Sequence, residues 1–140
     1  MIDFLAEAQS TRGTAMTENE ITAIIIDCCI KIHKTLGPGL LESVYENVLV
    51  YELKKRGLVC ESQKGIPIIY DDIRMDTGFR ADLIVEDMVI IELKAVENLL
   101  PVHKKQLLTY LRLADKKVGL LINFNEELMK NGITRIANKI

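Results

Sequence analysis

The stretch FRADLIVEDMVIIELK, Phe79 to Lys94, decides how this chain is read. Apolar residues alternate in two runs separated by the acidic tip Glu86-Asp87-Met88, the pattern of two strands joined by a tight turn. Because side chains alternate across a strand, Phe79, Ala81, Leu83 and Val85 are expected on one face and Arg80, Asp82, Ile84 and Glu86 on the other. The second run divides into Val89, Ile91 and Leu93 against Ile90, Glu92 and Lys94. A three-residue loop matches the faces by pairing 85 with 89, 84 with 90 and 82 with 92, whereas a two-residue loop sets Asp82 opposite Ile91 and mixes them.

In the matched register Asp82 and Glu92 are direct neighbours, with Cβ atoms roughly 4.5 to 5.5 Å apart. Like charges so placed repel, and something must compensate them. Two readings follow: a solvated cross-strand ion network completed by Arg80 and Lys94, or a divalent cation. With no Cys or His beside the carboxylates, the oxygen donors suit magnesium or manganese better than zinc.

Working outward, Thr17 and Glu20 have capping-box spacing, and Ile21, Ile24, Ile25, Cys28 and Ile32 recur at helical intervals, predicting a first helix over 18–35. Gly37-Pro38-Gly39 stops it. A second helix is expected from Leu40 to Arg56, with Gly57 as its stop. Glu42 precedes Tyr45, Leu49 and Leu53 by three, seven and eleven residues, which puts it on their apolar stripe, pointing coreward.

Extended pieces then follow at 58–61 and 66–70, with a turn at Asp71-Asp72. After Pro101 a third helix is predicted over 102–114, with His103, Gln106 and Tyr110 on one face; His103 alone reads as a surface or capping residue. Val118 to Phe124 is a continuous apolar run suited to a buried strand, and a short helix and terminal extended piece complete the chain through Ile133 and Ile136.

The composition frames these elements. With 140 residues, 49% hydrophobic and 27% charged, the chain fits one globular domain. Residues 1–16 are expected as a flexible tail, with Met16 an alternative start, and 17–140 as the domain. A net charge of -2 gives no general footprint for nucleic acid. The clusters Lys54-Lys55-Arg56, Lys104-Lys105 and Lys116-Lys117 read first as solvated helix ends or turns. Three cysteines without CxxC spacing, no secretory signal and no apolar run of about 18 residues lead to the expectation of a reduced, cytoplasmic chain without a membrane helix.

The segment Gly39-Leu40-Leu41-Glu42-Ser43-Val44-Tyr45 resembles the signature of the GxxExxY protein family. Asp82 with Glu92-x-Lys94 resembles the PD-(D/E)XK nuclease core, with Ala81 where that pattern has proline. Gln106 and Tyr110 are similar to a QxxxY helix in the recombination-exonuclease branch of the same superfamily.

The resemblance implies an α/β, restriction-endonuclease-like core: a central mixed β-sheet flanked by helices. It implies acidic site residues at Glu42, Asp82 and Glu92, all three as metal ligands, a catalytic lysine at Lys94, and supporting or substrate-binding groups at Gln106 and Tyr110, beside the compensating charge of Arg80. The implied function is Mg2+- or Mn2+-dependent hydrolysis of nucleic acid, DNA first. Two alternatives of other classes stay open: a nuclease-fold module that binds nucleic acid or protein with little turnover, and a homo-oligomeric or partner-binding role through the Ile-rich first helix.

Overall fold

The computed structural model describes residues 15–139; the tail expected before them falls largely on 1–14, outside the described residues. Helix α1, Glu18–Leu36, starts where the spacing predicts: the Thr17 hydroxyl accepts from the Glu20 amide at 3.2 Å. Its buried face carries Ile21, Ile25, Cys28, Cys29 and Ile32, while Ile24, Ile26 and Ile30 lie partly buried against the same cluster. Gly37, at φ 70°, ends it and donates its N–H to the His33 carbonyl at 2.8 Å.

Helix α2, Glu42–Lys55, buries Tyr45, Leu49 and Leu53. It is joined to α1 by an ion pair from Lys31 to the buried Glu52 at 3.0 Å.

The sheet comprises β1 Cys60–Tyr70, β2 Ile73–Val85, β3 Val89–Lys94, β4 Val118–Asn123 and β5 Ile133–Ala137, in that spatial order. Neighbours are antiparallel except β3 and β4, which are parallel and joined through helix α3, Pro101–Ala114, as parallel strands require a crossover. A short 3-10 turn, Met129–Gly132, leads into β5. The fold is α/β, a five-stranded mixed sheet flanked by helices.

Two apolar clusters hold the layers together. Side chains of α1 and α2 pack with Leu83, Val85, Val89, Ile91, Leu93, Leu120 and Ile122. Leu107 and Leu111 of α3 pack with Ile66, Phe79, Ala81, Ile84, Ile90 and Leu121. Covered on both faces, β3 and β4 are buried nearly throughout, and each fully buried Leu or Ile contributes about 1.5 to 3 kcal/mol.

The three-residue turn sets the expected register: Val85 pairs with Val89, Ile84 with Ile90 and Leu83 with Ile91. Glu86 and Asp87 both take positive φ, and the Met88 amide donates to the Val85 carbonyl at 3.0 Å.

One expectation for β2 is corrected. Leu83 and Val85 belong to the cluster under α1 and α2, but Phe79 and Ala81 pack with Ile84 in the cluster under α3, so the alternation inverts across Asp82. The cause lies in the neighbouring strand. Gln63, which falls opposite Asp82 between the pairs Ser62–Leu83 and Lys64–Ala81, has φ 51°, and this left-handed residue turns the ribbon over.

The first hairpin is also longer than its sequence suggests. β1 runs unbroken from Cys60, and β2 begins at Ile73 rather than Phe79. A register irregularity lies between Ile66 and Ile68, and the ribbon tip exposes Ile69, Tyr70 and Ile73.

Candidate active site

Beyond the Leu83–Ile91 pair, the two carboxylates stand in place of the regular ladder between β2 and β3. The Asp82 amide donates to Glu92 Oε1 at 3.4 Å, and the Leu93 amide donates to Asp82 Oδ2 at 2.8 Å. Glu92 is only 8% exposed. Burial, then the adjacent Asp82 charge and a hydrogen bond with the Asp82 side chain, push its carboxyl up to about 8, with Lys94 pulling the other way. A carboxyl raised in this way favours its neutral form, which relieves the repulsion between the opposed groups.

Lys94 is half-buried at the end of β3, where its placement is over-determined. The Phe124 amide donates to the Lys94 carbonyl at 2.9 Å. The wholly buried Asn123 clamps the segment after it: Asn123 Oδ1 accepts from the Val96 amide at 3.1 Å, and Asn123 Nδ2 donates to the Val96 carbonyl at 2.9 Å.

Two further residues join the site that the sequence reading passed over. Gln63 Nε2 donates to Glu46 Oε1 at 2.7 Å and to Asp82 Oδ1 at 3.3 Å, linking α2 to β2. The Glu46 carboxyl is raised by burial; the Gln63 hydrogen bond opposes this, and the charges of Asp82 and Glu42 add to it. Glu46 was findable, since it lies one helical turn beyond Glu42. Gln63 had no such signal, because its contribution depends on a backbone conformation that Gln rarely adopts.

Glu42 itself requires correction: it does not point into the core. The Tyr45, Leu49 and Leu53 stripe is buried as expected, but Glu42 is the first residue of α2 and is exposed, because its turn projects past the layer that its stripe covers. Its link to the acidic pair is electrostatic, through Glu46. Arg80 also does not compensate the pair. Its guanidinium donates instead to the Gln63 carbonyl at 3.2 Å.

On α3, Tyr110 is half-buried and stacks on Phe79, with centroids 3.9 Å apart and an 8° interplanar angle. Burial and the charges of Glu92 and Asp82 raise its phenol, which places it within their field. Gln106, one turn earlier, is exposed. His103 acts as a cap, its Nδ1 accepting from the Leu100 amide at 3.1 Å.

Among the described residues, no group of three or more His, Cys, Asp or Glu side chains is gathered closely enough to hold a metal ion. The pair that is gathered, Asp82 and Glu92, nevertheless has donor chemistry suited to a hard divalent cation. It offers oxygen donors only, and its mutual repulsion is relieved by a proton that a cation can replace.

The mixed sheet, the helices on its faces and the acidic pair where β2 and β3 part define a restriction-endonuclease-like α/β fold. The family model of the PD-(D/E)XK nuclease superfamily matches residues 19–136, and the chain belongs to that superfamily. No curated protein and no solved structure gives a significant match. No helix among the described residues is long and apolar enough to cross a membrane.

Proposed function

We propose that this chain is a divalent-metal-dependent nuclease that hydrolyses phosphodiester bonds of nucleic acid, with DNA the leading substrate, in one domain from residue 17 onward. The observation that carries the reading is the contact between Asp82 and the buried Glu92 at the parting of two strands, with Lys94 two residues on, in a chain of this superfamily. The Gly39, Glu42 and Tyr45 signature adds the narrower GxxExxY assignment to the same proposal.

Asp82 and Glu92 would hold Mg2+ or Mn2+, with Glu46 and Glu42 on the neighbouring helix adding negative charge nearby. When bound, such an ion neutralises a phosphodiester oxygen and lowers the pKa of water. The chain's own groups do the rest. Glu92, to serve as a ligand, would have to give up the proton that its raised pKa favours. The Leu93 amide keeps Asp82 oriented through the 2.8 Å hydrogen bond. Lys94, whose backbone carbonyl accepts from the Phe124 amide, would orient the attacking water or stabilise charge that develops on the phosphorane oxygens. Tyr110, fixed by its stack on Phe79, and exposed Gln106 and Arg80 offer hydrogen bonds to the substrate backbone.

A second reading, a nuclease-fold module that binds without efficient turnover, is favoured by one feature: no third carboxylate joins Asp82 and Glu92 in a ligating group among the described residues. The two readings separate by experiment. Calorimetry with Mg2+ and Mn2+ on the intact chain and on Asp82→Ala, followed by cleavage assays on single- and double-stranded DNA and RNA, should show cation binding and cleavage lost together in the variant. Cleavage unchanged in a rigorously purified Asp82→Ala protein would sink the nuclease assignment. Salt-dependent DNA affinity persisting without cleavage in either protein would establish the binding module.

A further inference from the structure

We propose that Gln63 is a positioning residue of the acidic site, tying Glu46 to Asp82 beside the place where Asp82 and Glu92 would take up a divalent cation. The proposal rests on the metal-dependent reading above and extends it to a residue outside the superfamily motif.

The geometry supplies the argument. A non-glycine residue inside a strand with φ 51° is uncommon and strained, and it persists only where its surroundings enforce it. Here the enforcement is visible. Arg80 grips the Gln63 carbonyl at 3.2 Å, and β2 flanks the residue through the pairs Ser62–Leu83 and Lys64–Ala81. What the conformation gains is direction: the amide nitrogen reaches Glu46 on α2 at 2.7 Å and Asp82 on β2 at 3.3 Å. A primary amide has two N–H donors, one for each carboxylate. No Lys or Arg side chain pairs with Glu46 or Asp82 among the described residues, so a neutral donor stands where two acidic groups from different elements converge. A neutral bridge keeps both carboxylates near one point without cancelling their charge, which leaves their negative potential available to an incoming cation.

The test is Mn2+ calorimetry on the full chain and on Gln63→Ala and Gln63→Lys, with thermal unfolding of each protein in the absence of metal. Gln63→Ala should weaken Mn2+ binding by about tenfold or more, the scale for losing a group that orients metal ligands. Gln63→Lys puts an ammonium between the carboxylates, so it should abolish Mn2+ binding while the metal-free protein melts no lower than the parent. That opposition of affinity and stability is not expected of a residue with a purely structural role. Undiminished binding in Gln63→Lys would overturn the proposal. If the intact chain binds no Mn2+, the metal-dependent reading and the cation half of this proposal fall together. Carboxyl NMR titration of metal-free Gln63→Ala then decides the holding role: a higher Glu46 titration supports it, and an unchanged one overturns it.

Discussion

The Tyr45 hydroxyl donates to the Gly37 carbonyl at 2.6 Å and accepts from the Leu40 amide at 3.1 Å, while its ring stacks on Phe124 at 4.4 Å. One side chain thereby ties the loop between α1 and α2 to the segment leaving β4, one residue before Glu46. Tyr45→Phe keeps the stack and removes both hydrogen bonds. It should lower unfolding free energy by about 1 to 2 kcal/mol, because two part-buried hydrogen bonds to the loop are lost. Urea denaturation with an unchanged m-value checks this.

Glu92 makes stability depend on pH with a definite sign. Its folded-state carboxyl sits at about 8, above the ordinary carboxylate value, so the folded chain binds the proton more tightly than the unfolded chain. That contribution is fully present below the unfolded pKa, near 4.5, and is lost as pH rises through about 8. The metal-free melting temperature should therefore fall across this window, and Glu92→Gln, which keeps a neutral side chain, should flatten the fall. Calorimetric melts at four or five pH values measure it.

On the proposed metal-dependent reading, the same proton would set the pH dependence of cation binding. A cation that displaces it gains about tenfold in apparent affinity per pH unit below about 8 and levels off above. Titrations in buffers of different ionisation enthalpy should register close to one proton released at pH 7. No release would mean that the cation does not use Glu92.

If the chain is the proposed nuclease, a Lys94 variant should separate chemistry from cation binding. Lys94→Ala should reduce cleavage by at least about a hundredfold, the scale for removing one preorganised charge-stabilising donor. Cation affinity should change little, because no lone pair of Lys94 serves as a ligand at neutral pH. Cleavage and calorimetry on the same preparation read both effects.

The sequence carries the sheet's centre more clearly than its edges. Val89 to Ile91 and Val118 to Ile122 are apolar because both of their faces are covered, and the Glu86-Asp87-Met88 loop has the odd length that keeps like faces together. Asp82, Glu92 and Lys94 are legible because they interrupt that pattern. The lower half of β2 is not: Arg74, Asp76 and Thr77 leave the core for a solvated ribbon, where hydrophobic alternation has nothing to register. Glu42 and Glu46 share a helix face, and only the actual end of the covering layer shows which one is partly buried. Gln63 enters the site through a sign change in φ, to which a period-two reading is blind.

The three-residue turn bears on which insertions and deletions the chain can accept. One residue more or fewer at 86–88 slides β3 by one position against β2 and takes Glu92 out of step with Asp82. An added residue at Asp71-Asp72 lies beyond the irregularity at Ile66–Ile68 and leaves that match intact. Of the two hairpin turns, the first thus accepts a single added residue without disturbing the acidic pair, and the second does not.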